Sequence, residues 1–342
     1  MLILGADQVD AAAKSRFLAH QADVRCYHAP AWLAALCEGF GFRDCTRYAV
    51  ENGDLVGLLP MMRRSSLRGQ RECVALPFSH QVPLLASDAS VIPRLVEAAL
   101  ELAPRLVVRD AVALAASGRR IDSGSVTAWV DLRDGYEQVS QRFSSMARRG
   151  VRKALQEGID VTLATDAAAV DQFYELMIET RRRQGVPIYP RRFLHAIRRH
   201  FGLEASRLWL ARDQGRVIAG LWLLLFQGHV LYAFGASRSE PEALRKRPNN
   251  LLFDRVIASL CNEGYPTLDL GSAHRDNAGL IAFKQGWGAQ MAPITWRVWP
   301  EQCGFQPIAR TGALVGAVSM ALRKMPVPLY LQLSALLIGR LG

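Results

Sequence analysis

Apolar side chains at Trp32, Leu33, Leu36 and Phe40 follow a helical spacing that stops at Gly41. The pattern returns 161 residues later, with residue 30 set over residue 191. Phe193-Leu194 answers Trp32-Leu33, Ala196-Ile197 answers Ala35-Leu36, and Phe201-Gly202 answers Phe40-Gly41. Shortly afterwards Tyr48-Ala-Val-Glu-Asn-Gly-Asp-Leu-Val-Gly57 corresponds, with one insertion, to Leu210-Ala-Arg-Asp-Gln-Gly-Arg-Val-Ile-Ala-Gly220. Each copy predicts an amphipathic helix ending at Phe-Gly, a strand, a tight turn and a second apolar strand. Asn52-Gly53 and Gln214-Gly215 supply the turn residues.

The second copy continues with Val230-Leu-Tyr-Ala-Phe-Gly-Ala-Ser237, which reads as a central strand. Leu251, Leu252, Ile257 and Leu260 mark one face of a helix over 250–261, and Gly264 ends it. Val170, Phe173, Tyr174 and Met177 mark another helix, which Asp166 is placed to cap. In the first copy, Val82-Pro-Leu-Leu-Ala86 and Arg105-Leu-Val-Val-Arg109 are strand candidates around a helix at 91–103. Alternating strands and helices predict an α/β (α+β) protein of two tandem domains, each a mixed sheet flanked by helices. The basic stretch 142–158 supplies the join, giving domains 1–144 and 145–303 and a tail 304–342.

A length of 342 residues accommodates two cores of ordinary size. The net charge of +11 is concentrated at Arg142 to Lys153 and Arg181 to Arg199. That favours an anionic partner, whether nucleic acid, phosphorylated substrate or acidic membrane surface, although solvated helix faces carry arginines too. Six cysteines are scattered with no Cys-x-x-Cys pair, and no metal site is implied. His195 and His200, five apart, do not share a helix face. There is no His-Glu-x-x-His, P-loop or dinucleotide fingerprint, and Gly235-Ala-Ser-Arg-Ser239 lacks the last glycine of a nucleophile elbow. Met1-Leu-Ile-Leu-Gly5 lacks a signal peptide's basic start and long apolar run, so a cytoplasmic protein is expected. Apolar runs at 311–322 and 329–341 surround Arg323 and Lys324, with Arg340 near the end. They suit either a helix lying at the inner membrane face or one packed on the second domain.

The densest chemistry follows the strand-like Pro266-Thr-Leu-Asp-Leu-Gly271, where Asn277 opens a short helix running through Phe283 and Lys284 into Gly286-Trp-Gly288. This order resembles the closing segment of GNAT acyltransferases, and lysine directly after the aromatic resembles the Fem-type branch (FemAB and FemX proteins). Arg149-Gly-Val-Arg-Lys-Ala154 and Thr180-Arg-Arg-Arg-Gln-Gly-Val-Pro187 are similar to strings in the same branch. With the basic apolar tail, they resemble the FemAB-like proteins of exopolysaccharide and protein-sorting (PEP-CTERM) systems.

The resemblance implies tandem GNAT-like domains whose sheet splays beside a central strand to admit the acyl donor. It implies an aminoacyl or acyl group passed to an amine of a cell-envelope precursor, peptidoglycan or polysaccharide. The donor would be aminoacyl-tRNA or acyl-CoA, with no tightly bound cofactor. Lys284 would stabilise the oxyanion, since a fixed ammonium gains strength as charge develops on the carbonyl oxygen. Asp269, at the end of a strand, is a candidate proton acceptor or helix cap. Arg149, Arg152 and Lys153 are candidate ligands for a precursor phosphate, with a basic linker helix as the alternative. Tyr232, Ser237 and Arg238 are placed near the acceptor, and His274 and Arg275 in the loop after Asp269 near phosphate or sugar. Phe283 and Trp287 pack the site. Arg245, Arg247 and Asn250 occupy the donor-loop position, where the usual glycines are missing and Pro248 removes an amide. A non-catalytic accessory protein that kept the fold, and a simple nucleic-acid binder, are the rival classes.

Overall fold

The computed structural model describes residues 1–65, 71–109, 117–305 and 313–341. They form two compact units: Met1–Ser125 with Pro293–Ile308 and Gly339–Gly342, and Val126–Ala292 with Ala309–Ile338. The domain boundaries read from the sequence, 144/145 and 303/304, are a proposal.

The first unit runs β1 (Leu2–Gly5), α1 (Ala11–Ala19), α2 (Pro30–Phe40), β2 (Arg43–Asp44), β3 (Arg47–Glu51) and β4 (Asp54–Leu59). It continues with β5 (Met61–Ser65), β6 (Arg71–Ala75), β7 (Leu85–Ala86), α3 (Ile92–Leu100) and β8 (Leu106–Arg109). One sheet has the order β1-β3-β4-β7 and a smaller one β2-β5-β6. Leu59, Met61, Ile92, Leu95 and Leu106 share its core. Strand β9 (Arg119–Asp131) runs across the boundary between the units.

The second unit contains α4 (Gly135–Gln141), α5 (Ser145–Gln156), β10 (Asp160–Ala164), α6 (Ala168–Gln184), α7 (Arg191–Ala205), β11 (Ser206–Asp213) and β12 (Arg216–Phe226). There follow β13 (His229–Ser237), α8 (Pro241–Arg245), α9 (Pro248–Asn262), β14 (Thr267–His274), α10 (Ala278–Gln285) and the start of β15 (Gln290–Trp299). The tail forms α11 (Ala313–Lys324) and α12 (Val327–Leu341). The central sheet follows the order β10-β11-β12-β13-β14-β9. Leu221, Leu223, Val230, Phe253, Val256, Leu268 and Trp287 belong to one core on it.

The tandem repeat is present in three dimensions. Helix α2 ends at Gly41 (φ 72°), and α7 is kinked at Gly202 (φ 71°). Left-handed backbone of this kind costs glycine nothing. The hairpins β3-β4 and β11-β12 turn on two residues of positive φ each, Asn52-Gly53 and Gln214-Gly215. Such mirror-image turns match the twist of the flanking strands. Both second strands carry a bulge just after the turn: Val56 is the extra residue opposite Ala49/Val50, and Ile218 the extra residue opposite Ala211/Arg212.

Helix α3 lies where the apolar spacing placed it, and the Asp166 carboxylate accepts from Ala169 N at 2.7 Å as the expected cap of α6. The strand expected at 82–86 shrinks to Leu85–Ala86. Pro83 has no N–H to offer a ladder, and its carbonyl bonds His28 Nε2 at 2.9 Å instead. The tail packs on the second unit. Tyr330 Oη donates to Val186 O (2.9 Å), Ser319 Oγ to Gly185 O (2.9 Å) and Arg182 Nη2 to Met325 O (2.7 Å).

Candidate active site

Strands β13 and β14 are parallel and share only two ladder pairs, Val230↔Leu268 and Leu231↔Asp269. Beyond them β13 shifts register against β12 between Tyr232 and Phe234, and β14 turns at Gly271 with φ +71°. Ladder pairing between the fourth and fifth strands of this sheet therefore ends after Leu231 and Asp269, an opening in the ladder from Tyr232 and Leu270 onward. The Tyr232 ring occupies this side of β13: a Cβ at residue 235 would lie 1.8 Å from its hydroxyl, so only glycine fits there. Burial pushes the Tyr232 phenol up to about 12. An aromatic series continues from it, with centroid separations of 5.1 Å for Tyr232–Phe253, 5.1 Å for Phe253–Phe283 and 5.3 Å for Phe253–Trp287. Trp287 is fully buried, so it builds the wall behind the opening.

Asn277 caps α10 by accepting from Leu280 N at 3.1 Å, and this short helix ends by directing Lys284 inward. Lys284 is 3% exposed, and its Nζ donates to Gly271 O (2.8 Å) and Ser272 O (2.9 Å). Burial pulls its pKa down to about 8, while the charge of Asp269 acts in the opposite direction. At neutral pH the group is an ammonium with three N–H bonds, two of which go to these carbonyls. Asp269 is also buried; Oδ1 accepts from Gly271 N at 2.7 Å and Oδ2 lies 3.2 Å from His229 Nε2. Gly271 is thus held from both sides, its N–H by Asp269 and its carbonyl by Lys284. The left-handed Gly271 in β14, the carboxylate and the ammonium form one assembly beside the end of the β13-β14 ladder.

Ser237 and Arg238, at the far end of β13, are engaged within the fold. Ser237 exchanges backbone bonds with Thr180 Oγ1 (2.9 and 3.0 Å), and its hydroxyl meets Arg183 Nη2 at 3.3 Å. Arg238 pairs with Glu179 at 2.6 Å. His274 Nδ1 accepts from Asp276 N (3.3 Å), and Arg275 is exposed beside it. On α5, Ala147, Gly150 and Ala154 face inward while Arg149, Arg152 and Lys153 are exposed. Gly150 lies against Asn250, since a Cβ there would meet its Cγ at 2.5 Å. The inward, small-residue face of α5 therefore packs against the first turn of α9, at its N-terminus. That terminus begins at Arg247, in left-handed conformation (φ 59°), followed by Pro248, and no side chain caps it. Arg245 bonds Pro241 O at 3.3 Å, and Arg247 is exposed.

Sequence reasoning missed His229 as the partner of Asp269, and missed the Tyr136 hydroxyl that donates to Asp254 on α9. Burial raises the Asp254 carboxyl above its ordinary value. His229 directly follows the Gln227-Gly228 turn, but nothing local to it signals a carboxylate 40 residues on. Among the described residues no cluster of three or more His, Cys, Asp and Glu is placed to hold a metal ion, and no disulfide joins the described cysteines.

Residues 141–284 match the acetyltransferase (GNAT) domain family. No curated protein sequence matches the chain. Among solved structures, FemX is similar with TM-score 0.66 at 14% identity, over 86% of this chain and 96% of that one. The C-terminal domain assigned to a lysylphosphatidylglycerol synthetase from Agrobacterium fabrum is similar with TM-score 0.56 at 14% identity, over 90% and 95%. A tandem GNAT protein from the clavulanic acid biosynthesis pathway is similar with TM-score 0.53 at 13% identity, over 89% and 99%. The chain therefore has a FemX-like GNAT acyltransferase fold in tandem arrangement.

Proposed function

We propose that this protein forms an amide by transferring an aminoacyl or acyl group to an amine of a phosphate-bearing cell-envelope precursor. The observation that carries the reading is the buried Lys284 ammonium beside the opening between β13 and β14. The amine nitrogen attacks the carbonyl carbon of the donor ester or thioester, the C–N bond forms, and the alcohol or thiol leaves with a proton. The third N–H of Lys284 meets the oxyanion that develops on the carbonyl, and such a preorganised donor is worth about 10²–10³ in rate. Asp269 already accepts from Gly271 N, which suits holding Gly271 and Lys284 in place better than taking the amine's proton. Arg149, Arg152 and Lys153 on the free face of α5, with Arg247 and the α9 terminus, supply charge for the donor or acceptor phosphates.

Aminoacyl-tRNA is the favoured donor, because Pro248 removes a backbone amide from the α9 terminus where a CoA pyrophosphate would bind. Likeness to the tandem GNAT protein, a structure solved without AcCoA, supports acyl-CoA as the second reading. The test supplies labelled aminoacyl-tRNA or labelled acetyl-CoA together with an amine-bearing nucleotide-sugar peptide. Label is expected in a product resistant to mild base, as an amide is, and the Lys284→Ala variant is expected to lose about 10²-fold in rate. Full-rate transfer by that variant would remove the role given to Lys284. Absence of transfer from either donor would favour an accessory protein that kept the fold.

A further inference from the structure

The structure sorts the tail's apolar residues into two sides. Leu322, Tyr330, Ser334 and Ile338 are buried, and the bonds from Tyr330 and Ser319 fix both helices against α6 and the segment after it. Other apolar residues of the two helices are uncovered, Met320 opposite Leu322, and Leu329 and Leu336 opposite Tyr330 and Ser334: Val318 is 46% exposed, Met320 58%, Leu329 55% and Leu336 64%. Leu329, Gln332 and Leu336 stand three and four apart, in one stripe along α12. Helix α11 carries no charge from Ala313 to Leu322, yet most of it faces outward. Exposed apolar area of this extent on a packed, ordered helix pair marks a contact surface.

Charge selects the occupant. From residue 302 to the end the chain has no Asp or Glu, while Arg323 and Lys324 are exposed at the junction of the two helices. A second copy would bring these cations toward their like, on molecules of net charge +11 each. An anionic bilayer offers what both features need, acyl chains beneath a layer of negative headgroups. Neither helix is long and apolar enough to cross a membrane, so the pair would lie along the surface. Beside it opens a cavity of about 300 Å³ whose lining includes Tyr174, Tyr189, Arg191, Leu331 and Ala335. Two of those residues belong to α12.

We propose that the outward face of α11 and α12 docks on the surface of an anionic lipid bilayer, with Val318, Met320, Leu329 and Leu336 in the acyl-chain boundary and Arg323 and Lys324 at the headgroups. Docking of this face does not depend on the transfer chemistry.

The full chain would be floated with vesicles of phosphatidylcholine alone and with vesicles containing a third phosphatidylglycerol. Binding is expected only to the second set and is expected to weaken with salt. Leu336→Glu and Met320→Glu should each lower the bound fraction about tenfold, and Arg323→Glu with Lys324→Glu about as much. All these positions are exposed, so unchanged thermal midpoints and circular dichroism will show that the variants fold. Equal binding to both vesicle sets, or binding unaffected by the glutamates, overturns the proposal. It is also overturned if the wild type ignores vesicles and sediments as a dimer that Leu336→Glu makes monomeric, because a second copy then covers the face.

Discussion

The strand that pairs with the second strand of the repeated hairpin is nine residues long in the second unit and two in the first. In the second, β13 pairs with β12 from Phe226↔His229 to Ala219↔Ser237 before parting from β14. In the first, β7 meets β4 only at Gly57↔Ala86 and Leu58↔Leu85. The helix, the left-handed glycine, the two-residue turn and the bulge are alike in both units. The shared block is the part that makes a stable half-sheet. The end of the β13-β14 ladder, with Lys284, Asp269 and His229 gathered beside it, belongs to the second unit, and the proposed chemistry is placed there.

Glycine substitutions break this comparison most sharply. Gly235→Ala would set a methyl 1.8 Å from the Tyr232 hydroxyl and force that ring from its place beside the opening. Transfer by the folded variant is expected to fall about tenfold or more, in keeping with the sensitivity of reaction rates to small misplacements. Gly57→Ala in the first unit would press on Val91 and Leu95 at 2.7 and 2.9 Å. Its cost should be overpacking alone, about 1–3 kcal/mol, seen as a lower urea midpoint with transfer per folded molecule unchanged. If the two variants behave alike in the transfer assay, the functional asymmetry between the units is wrong.

The pH dependence sharpens the site within the second unit. The Lys284 ammonium titrates near pH 8 in the folded protein, so the rate should fall as pH rises through about 8. Asp269 holds that value up, and Asp269→Asn should therefore move the falling limb to lower pH. A limb that stays in place would detach Asp269 from Lys284. Stability runs the other way. The folded value lies below the ordinary 10.5, so unfolded chains hold more protons between about 8 and 10.5, and wild type should gain on Lys284→Met across that window. Denaturation midpoints of the two proteins at pH 7 and pH 10 measure this.

The smallest effect is expected on α5. Reversing Arg149, Arg152 and Lys153 to Glu should raise the KM for the anionic substrate several-fold and flatten its salt dependence. Stability should shift by no more than about 0.5 kcal/mol per site. Reversal of the exposed Arg94 on α3 of the first unit is the matching control and should leave KM where it was.

The tandem architecture could be read from residues close together in the chain, because helix spacing, left-handed glycines and two-residue turns are local properties. Asn277 as a cap and the helix leading to Lys284 belong to the same class. Strand β7 shows the limit: Val82 to Ala86 has the composition of a strand, but Pro83 and the partners available decided how much of it pairs. Ser237 and Arg238 show another. Their position at the end of β13 was predictable, but their engagement by Thr180, Arg183 and Glu179 was not.

The amino-acid sequence alone determined the repeated helix-and-hairpin block, the order of elements and the presence of a lysine after Phe283. Tertiary structure decided where that lysine's charge goes. A parallel crossover brings Asp269 next to the strand that His229 begins, and the turn at Gly271 presents two carbonyls to Nζ. These contacts join groups 12 to 40 residues apart, and the strength of each depends on burial, which no short run of residues encodes.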